Sequence, residues 1–471
     1  MIPLRLAEVA AVAGGVVSTG ADEVLVTAPA VRDSRHAVPG GLFVALVGER
    51  VDGHDYVAEA MAAGAVAALV SRPVDVPHVL VPDVIVALAR LARSVVDRLV
   101  AGGLVVVGVT GSSGKTSTKD LLAGLLAVSG ATVATEGSLN NEIGLPLTAL
   151  VADAGTRYLV VEMGARGAGH IADLCRTAPP RVGVVLNVGA AHAGEFGGRA
   201  ATAAAKAELV QALPAADQGG VAVLNADDPL VAAMARLTSA RVVTVGRGAG
   251  AYVRATDVAL DERGRPSYVL QAAGQAPVPV RLPLHGAHHV ANSLAAAAVA
   301  LQAGLSAAQV AAGLGRATPR SSGRMEVTER ADGVTVVDDS YNANPDSVAA
   351  ALDALAAMSA GRRSWAVLGE MLELGAASPE EHDRVGRLAR RSGVARLVVV
   401  GEGARDIHLG ALAEGAAEGE ESVVVPDVPS AIELVEPALR PGDVVLVKAS
   451  RGARLNRVAA ALLSAGRGGG S

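Results

Sequence analysis

Cysteine, lysine and aromatic residues are scarce in this chain of 471 residues. The single cysteine, Cys175, permits no internal disulfide bond, which favours a reducing, cytoplasmic setting. Aromatic residues make up 2% of the chain and charged residues 19%, but apolar residues make up 51%, which excludes a mainly disordered protein. The net charge of −6 provides no general attraction to nucleic acid or anionic membranes.

The sequence also lacks a convincing membrane span or signal peptide. Arg5 and Glu8 interrupt the apolar N-terminal segment, which we interpret as a short amphipathic helix. The longest uncharged stretch, residues 290–315, exceeds the roughly 20 residues of a membrane span, but it contains Asn292 and Gln302. A buried pair of helices is therefore the better interpretation.

Positive charge is supplied almost entirely by arginine, because only four of the 41 basic residues are lysines. These are Lys115, Lys119, Lys206 and Lys448. The abundance of Ala, Gly and Val indicates a coding bias that replaces lysine wherever a bare positive charge suffices. Since ammonium and guanidinium differ in shape, hydration and the ability to lose a proton, a retained lysine marks a need for an amine. Asparagine is also scarce, and five of the eight asparagines (140, 141, 292, 342 and 344) are among the candidate site residues described below.

Alternating apolar runs and helical segments predict an α/β protein of three domains. Residues 1–101 form a small α/β unit, residues 102–318 a central domain with a mainly parallel sheet, and residues 319–471 a Rossmann-like domain. The predicted strands of the central domain are the runs at 104–110, 158–162, 182–188, 221–225 and 242–245, followed by a β-rich segment between about 251 and 284.

The strongest motif is T-G-S-S-G-K-T-S, residues 110–117, which follows a predicted strand and begins a helix over Lys115–Ser129. A glycine-rich turn lets backbone N–H groups converge on phosphate oxygens, while Lys115 reaches the outer phosphates and Thr116 is placed to ligate Mg²⁺. This is a compact phosphate loop, because the leading glycine of the longer motif would fall on Val109. The predicted nucleotide-binding residues are Gly111, Ser112, Ser113, Gly114, Lys115, Thr116 and Ser117.

Two further polar residues follow predicted strands of the same sheet. Glu162 ends one strand, and His192 lies in a loop after the next. Both are expected at the carboxyl edge of the sheet, beside the phosphate loop, although Glu162 taken alone equally fits solvation of a strand end. A switch GTPase is disfavoured, because Asn225–Asp228 has Ala where the N-K-x-D element needs lysine.

A series of motifs in fixed order resembles the Mur ligase family across essentially the whole chain. The series comprises D-S-R (33–35), the phosphate loop, L-N-N-E-I-G-L-P (139–146), V-V-E-M-G-A, the loop with His192, A-A-A-K-A-E (203–208), L-N-A-D-D-P, G-A-H-H-V-A-N-S-L-A-A-A (286–297) and D-S-Y-N-A-N-P-D-S (339–347). The resemblance is greatest to members that add D-alanyl-D-alanine to UDP-N-acetylmuramoyl-tripeptide in cytoplasmic peptidoglycan precursor synthesis. The alternatives are another Mur-type or folylpolyglutamate-type ligase, or a P-loop ATPase that drives conformational change.

The resemblance implies that ATP phosphorylates the tripeptide carboxylate and that the dipeptide amine attacks the resulting acyl phosphate. It implies ATP and two Mg²⁺ ions, with Lys115, Lys206, His192 and Glu162 as catalytic residues. The implied metal ligands are Thr116, Glu162, His192 and Lys206, the last as a carbamate that arginine could not form. The implied contacts are Asn292 with adenine, Asp339 with ribose, Arg324 with the nucleotide, and Ser34 and Arg35 with the uridine diphosphate. They also include Asn140, Asn141, Asn342 and Asn344 with the ligated substrates, and Lys448, together with Arg451, with the incoming dipeptide.

Several of these residues also have an ordinary structural interpretation. Asp339 could belong to a strand-ending turn, and Asn344 could cap a helix. Lys206 could be a solvated helix residue paired with Glu208. The residues leave open whether the tripeptide ends in L-lysine or diaminopimelate. We expect a monomer that binds no nucleic acid.

Overall fold

The computed structural model describes residues 1–189 and 198–465. Within these ranges, three large sheets follow one another along the chain, each flanked by helices. This arrangement confirms the predicted α/β class with a small N-terminal unit, a central phosphate-loop domain and a Rossmann-like C-terminal domain. The residue boundaries at 101/102 and 318/319 stay predictions. None of the helices in the described ranges is both long enough and apolar enough to span a bilayer.

The N-terminal unit contains a five-stranded sheet in the order β2-β7-β6-β5-β4 and a separate β1-β3 pair. Its strands are β1 (Leu4–Arg5), β2 (Val16–Val17), β3 (Leu25–Val26), β4 (Ala30–Val31), β5 (Leu42–Val44), β6 (Ala67–Val70) and β7 (His78–Leu80). Its helices are α1 (Leu6–Ala13), which is the predicted N-terminal helix, α2 (Val57–Ala62) and α3 (Val84–Ala101).

Helix α3 joins the N-terminal unit to the central domain. Asp83 caps it by accepting hydrogen bonds from the N–H groups of Ile85 and Val86 at 2.8 and 3.0 Å. Apolar residues at helical spacing, including Leu88 and Leu91, form its buried stripe. They belong to one continuous hydrophobic cluster that extends from the N-terminal unit to one face of the central sheet.

The central domain contains a nine-stranded sheet in the order β16-β15-β14-β13-β12-β11-β8-β10-β9. Its strands are β8 (Val105–Thr110), β9 (Thr132–Ala134), β10 (Tyr158–Glu162), β11 (Val182–Val185), β12 (Val221–Asn225), β13 (Arg241–Gly246), β14 (Val253–Leu260), β15 (Pro266–Ala272) and β16 (Val278–Arg281). Its helices are α4 (Lys115–Leu126), α5 (Gly144–Ala149), α6 (His170–Thr177), α7 (Arg199–Gln211), α8 (Pro229–Ala232), α9 (His289–Gln302) and α10 (Ala307–Leu314).

The central sheet is parallel from β9 to β14, and only β15 and β16 add to it in antiparallel fashion. Strands β14 to β16 confirm the predicted β-rich segment. Helices α9 and α10, which carry many buried residues, confirm the predicted buried pair of helices. Strand β11 ends at Val185, three residues earlier than predicted, because the chain turns from the sheet to contact the phosphate loop. Helix α4 likewise ends at Leu126, before the predicted Ser129.

The C-terminal domain contains a six-stranded sheet in the order β17-β18-β22-β19-β20-β21. Its strands are β17 (Glu326–Glu329), β18 (Thr335–Asp338), β19 (Ser364–Gly369), β20 (Arg396–Val400), β21 (Ser422–Val425) and β22 (Val444–Lys448). Its helices are α11 (Pro345–Met358), α12 (Ser378–Arg391), α13 (Arg405–Ala413), α14 (Val428–Val435) and α15 (Asn456–Ala465). The last strand, β22, lies between β18 and β19, which places the end of the sheet's final strand beside Asp338 and Asp339.

The shared cluster around α3 leads to a prediction about stability. Leu91 is fully buried in this cluster, so Leu91→Ala should lower the free energy of unfolding by about 2 to 5 kcal/mol. Chemical denaturation monitored by circular dichroism measures this change. Val86→Ala in the same helix is the control, because Val86 is 44% exposed and its truncation leaves no cavity. Equal stability of the two variants would contradict the assignment of α3 to the core.

Candidate active site

A cavity of about 620 Å³ lies between the phosphate-loop edge of the central sheet and the carboxyl edge of the C-terminal sheet. Most of the predicted site residues line it, from both domains. They are Ser112, Ser113, Gly114, Lys115, Thr116, Ser117, Asn140, Asn141, Glu162, Lys206, Asn292, Arg324, Asp339, Asn342, Asn344 and Lys448. The structure thus brings together residues that are more than 300 positions apart in the sequence.

The phosphate loop connects β8 to α4 and is held by the segment after β11. The side-chain oxygen of Asn187 accepts a hydrogen bond from the Ser113 N–H at 2.9 Å, and its amide donates to the Ser113 carbonyl at 3.2 Å. The Asn187 carbonyl accepts a bond from the Ser112 N–H at 3.1 Å. Asn187 therefore fixes the loop from the segment that follows β11, a role that the sequence analysis missed although asparagine is scarce.

Gly114 occupies a conformation that other residues rarely adopt, with φ at +80°. A Cβ atom at this position would also collide with the side-chain oxygen of Asn292. Asn292 is 4% exposed, and its amide nitrogen has no hydrogen-bond partner among the described residues. The glycine therefore allows a buried amide to lie directly against the phosphate loop, with donor capacity left for a ligand.

Glu162 is the centre of a hydrogen-bonded cluster next to the loop. Its carboxylate accepts hydrogen bonds from the Thr116 hydroxyl at 2.9 Å and from the Asn140 amide at 2.8 Å. Arg324 of the C-terminal domain donates to the Thr116 hydroxyl at 3.3 Å and to the Ser138 hydroxyl at 3.1 Å. Glu162 is 1% exposed, so solvation of a strand end does not explain it.

The Lys115 amine donates a hydrogen bond to the Gly111 carbonyl at 2.7 Å, across the turn of the loop. Burial lowers the pKa of Lys115, while the Glu162 carboxylate acts in the opposite direction and Arg324 lowers it further. Gly111 itself does not line the cavity, so its predicted contact with the nucleotide stays a prediction. In this structure its carbonyl accepts the hydrogen bond from Lys115.

Lys206 lies in α7, lines the cavity and is only 3% exposed. Burial, together with the nearby charge of Lys115, lowers the pKa of Lys206 to about 7. Glu208 accepts hydrogen bonds from the N–H groups of Gly169 and Ala172 at 2.6 and 3.0 Å, at the start of α6. The alternative of a solvated Lys206 paired with Glu208 is therefore wrong, because the lysine is buried and the carboxylate binds a helix terminus.

Asp339 and Lys448 form a buried ion pair, with the amine 2.6 Å from the carboxylate. The Lys448 amine also donates to the Asn342 carbonyl at 2.9 Å, and the Asp339 carboxylate accepts a bond from the Met325 N–H at 3.1 Å. The sequence analysis predicted that Asp339 contacts the nucleotide and that Lys448 contacts the dipeptide. The structure makes them one unit, so a change at either residue alters the surroundings of both.

The remaining predicted residues have mixed placements. Asn141 accepts a hydrogen bond from the Gly144 N–H at 2.9 Å, and Asn344 caps α11 through the Ser347 N–H at 2.8 Å, so the capping interpretation of Asn344 is confirmed. Arg35 instead forms a two-point contact with Asp33, which holds the pKa of that carboxyl well below its usual range. Ser34 and Arg35 do not line the cavity, and their predicted contact with uridine diphosphate stays a prediction.

His192 lies outside the described residues, so its predicted role as a metal ligand stays a prediction. The described residue nearest to it, Gly189, donates a hydrogen bond from its N–H to the Ser112 hydroxyl at 2.9 Å. Within residues 1–189 and 198–465, no three His, Cys, Asp or Glu side chains come together as a metal site. The predicted set of metal ligands contains only one such side chain in the described ranges, Glu162. Its other members are the Thr116 hydroxyl, a carbamate on Lys206 and His192.

Comparisons with known proteins follow the domain order of the structure. Family models described as "Mur ligase family, catalytic domain", "Mur ligase middle domain" and "Mur ligase, glutamate ligase domain" match residues 32–100, 109–300 and 323–451. The UDP-N-acetylmuramoyl-tripeptide–D-alanyl-D-alanine ligase of Mycobacterium bovis is 52% identical over 98% of both chains. The ligase of the same name from Escherichia coli is 37% identical over 91% of this chain and 92% of the relative. The chain belongs to the Mur ligase family.

Solved Mur ligase structures agree with this assignment. A crystal structure of MurF from Acinetobacter baumannii matches with a TM-score of 0.85 and 31% identity over 98% of this chain and 99% of the other. MurF from Thermotoga maritima, solved in complex with ADP, matches with a TM-score of 0.78 and 31% identity over 94% of this chain and 98% of the other. The resemblance inferred from the motifs is thereby confirmed.

Gly114 provides a direct test of the phosphate loop in this Mur ligase. Gly114→Ala should raise the KM for ATP roughly tenfold or more, because left-handed strain costs about 1 to 2 kcal/mol and the new methyl group displaces Asn292. Steady-state kinetics measures the KM, and thermal unfolding shows whether the variant is folded. Gly124→Ala in α4, the helix that Gly114 precedes, is the control, since its Cβ meets only Arg320, at 3.9 Å. An unchanged KM for ATP in the Gly114 variant would contradict this account of the loop.

Proposed function

We propose that this Mur ligase uses ATP to join the amine of D-alanyl-D-alanine to the terminal carboxylate of UDP-N-acetylmuramoyl-tripeptide. The observation that carries the proposal is the contact of Arg324 with Thr116 and Ser138, which brings a C-terminal guanidinium to the phosphate loop. The names of the similar ligases from M. bovis and E. coli support this choice of substrates. The ADP complex of the T. maritima relative supports ATP as the phosphoryl donor.

The first chemical step transfers a phosphoryl group between two anions, ATP and a carboxylate. Such a step requires neutralisation of charge and alignment of the reacting oxygens. Lys115, Arg324 and the N–H groups at the start of α4 supply positive charge at one end of the cavity. The acyl phosphate then loses inorganic phosphate when the dipeptide amine bonds to its carbonyl carbon and releases a proton.

The residues at the phosphate loop fit a nucleotide with Mg²⁺. The Thr116 hydroxyl and the Glu162 carboxylate are adjacent oxygen donors, which suit this hard cation. Two buried nitrogens that line the cavity, Asn292 Nδ2 and Arg324 Nε, have no hydrogen-bond partner within the described ranges and are available to ligand oxygens or ring nitrogens. When bound, Mg²⁺ neutralises phosphate charge and polarises the transferred group.

Lys206 fits the carbamate that the family resemblance implies. An amine whose pKa is about 7 is neutral in a large fraction of molecules at neutral pH, so its lone pair is free to bond to the carbon of CO₂. Loss of one N–H proton to solvent then leaves an N-carboxylate. This converts a buried cation beside Lys115 into an anion, which removes a repulsion and adds oxygen ligands for Mg²⁺.

The assignment as a ligase predicts a strict requirement for both substrates. ATP consumption by the purified protein should need UDP-N-acetylmuramoyl-tripeptide together with D-alanyl-D-alanine and should yield one ligated product per ADP formed. Coupled ADP detection with mass spectrometry of the product measures both quantities. Turnover of ATP that ignores both substrates would instead favour the rival, a P-loop ATPase that drives conformational change.

The carbamate on Lys206 predicts a signal that does not depend on activity. At a fixed concentration of dissolved ¹³CO₂, the wild-type protein should show a carbamate resonance in ¹³C NMR that grows as the pH rises from 6 to 8, because the neutral amine increases through a pKa of about 7. Lys206→Arg should lack this resonance and should be inactive despite its retained charge.

A rescue experiment separates this role from a structural one. Acetate or formate at millimolar concentration should partly restore Lys206→Ala, since a carboxylate stands in for the carbamate. The same anions should not restore Lys115→Ala, which lacks a cation. An active Lys206→Arg enzyme, or a resonance that persists in it, would exclude the carbamate.

The predicted monomeric state, the absence of a nucleic-acid partner and the cytoplasmic location stay predictions.

A further inference from the structure

The C-terminal wall of the cavity carries three side chains that the mechanism has not used. They are Leu372 and Glu373 in the loop after β19, and Arg451 in the loop after β22. Leu372 is 43% exposed, an unusual exposure for a leucine in a cavity wall flanked by buried Met371 and Leu374. The wall therefore presents an acidic, an apolar and a basic side chain to the same space.

The two loops are attached to each other, which fixes the relative positions of these side chains. The Ser450 N–H donates to the Glu370 carbonyl at 2.9 Å, and the Leu372 N–H donates to the Ser450 hydroxyl at 2.9 Å. A Cβ atom at Gly452 would lie 3.0 Å from the Leu372 side chain, so Gly452 allows the loops to touch. Leu372, which precedes Glu373, therefore lies against the backbone on both sides of Arg451, at Ser450 and Gly452.

The loop after β19 is also anchored from beneath. The Met371 N–H donates to Nε2 of His382 at 2.9 Å, and Nδ1 of that buried histidine is 2.7 Å from the Ser378 carbonyl. Glu373 itself has a φ of +68°, a left-handed conformation that is costly for a residue with a side chain. Strain of this kind persists only where the surroundings hold it, and it is concentrated at functional sites.

Arg451 lies close to the residues at the phosphate loop without contacting them. Its guanidinium is 5.5 Å from the centre of the Tyr341 ring, and the guanidinium of Arg324 is 4.2 Å from the centre of the same ring. Arg324 contacts the phosphate loop. Arg451 shares the Tyr341 ring with Arg324 and is therefore a neighbour of that contact on the same cavity wall. Lys448, a residue predicted from the sequence to hold the dipeptide, is 2% exposed and bonded to Asp339 and Asn342.

We infer that Glu373 and Arg451 bind the two charged ends of the acceptor dipeptide, its ammonium and its carboxylate, and that Leu372 contacts its methyl groups. This inference rests on the proposed function. D-alanyl-D-alanine is a small zwitterion with two methyl groups between its charged ends, so an acidic, an apolar and a basic side chain on one cavity wall match it in chemistry. Of the two residues predicted near the dipeptide, this assigns the contact to the exposed Arg451 and not to the buried Lys448.

The position of Glu373 also suits the bond that forms. Glu373 and Lys115 line the same cavity. The Glu373 carboxylate accordingly acts to raise the pKa of Lys115, against the larger lowering by burial. A nucleophile held by Glu373 is therefore near the acyl phosphate. The bound ammonium first loses one proton to solvent, which frees its lone pair. Its nitrogen becomes positively charged again as it bonds to the acyl carbon, and the same carboxylate stabilises that charge.

The test for Arg451 compares D-alanyl-D-alanine with its methyl ester, which keeps the amine and both methyl groups but lacks the carboxylate. Wild-type kcat/KM should favour the free acid roughly 10- to 100-fold, the size expected for a charge-assisted hydrogen bond. Arg451→Ala should lose most of this preference by becoming slower with the acid alone, and Arg451→Lys should retain part of it. If Arg451→Ala slows acid and ester equally, Arg451 does not bind the carboxylate.

The test for Glu373 is the distribution of KM values among the three substrates. Glu373→Gln should raise the KM for the dipeptide roughly tenfold or more while the KM values for ATP and the UDP-tripeptide stay within about twofold. A rise confined to the UDP-tripeptide would show that Glu373 binds the third residue of that substrate, and would overturn the inference. A rise confined to ATP would overturn it as well.

Matched controls come from an exposed ion pair in the same domain. Glu402→Gln and Arg405→Ala break a 3.1 Å pair whose residues do not line the cavity, and they should leave all three KM values unchanged. Wild-type product formation in these assays reports on the proposed function. The acid-to-ester ratio and the KM distribution of the variants report on the inference, so the two can fail separately.

Discussion

The hydrogen bond from the Thr116 hydroxyl to the Glu162 carboxylate is the interaction on which the site depends. It joins the first turn of α4 to the end of β10, and it exists because β10 pairs with β8 so that Glu162 lies opposite Val109. Asn140 and Ser138 attach to the same pair of side chains, and Arg324 brings the C-terminal domain to them. The donors to Glu162 are neutral, so the carboxylate keeps its full charge for a cation.

The scarcity of lysine acquires a physical explanation at each position. Lys448 forms a compact buried ion pair with Asp339, and Lys119 places its amine 2.7 Å from the Thr135 carbonyl and 2.5 Å from Asp120. Both amines lie in narrow spaces where a planar guanidinium would need more room. In the proposed function, Lys115 and Lys206 use the amine for charge and for chemistry. On that proposal the pattern has two causes, since two lysines are retained for packing geometry and two for reactivity.

Much of the fold and the phosphate-loop half of the site could be predicted from the sequence, because both depend on local order. A buried parallel strand is a continuous apolar run, and a strand, a glycine turn and a helix in succession position Lys115 and Thr116 without reference to distant residues. Glu162 was also predictable, since carboxyl ends of parallel strands share one edge.

The remaining half of the site depends on pairings between distant segments. The Asp339–Lys448 bond spans 109 positions, and it forms because β22 inserts between β18 and β19, an order that no run of apolar residues encodes. Glu373 escapes detection for the same reason, and the sequence identifies Arg451 only as a charge beside Lys448 at the end of the last strand. Each is an ordinary exposed charge until hydrogen bonds through Ser450 attach one loop to the other.

The placement of the lysines has a consequence for chemical labelling. Three of the four side-chain amines are no more than 3% exposed, and the fourth, Lys115, belongs to the phosphate loop. The outer surface consequently presents its cations as guanidinium groups, which acylating reagents do not modify at neutral pH. Reagents that label surface lysines in most proteins would find in this one an amine at the phosphate loop as their principal side-chain target, so acylation would serve as a footprint of nucleotide occupancy.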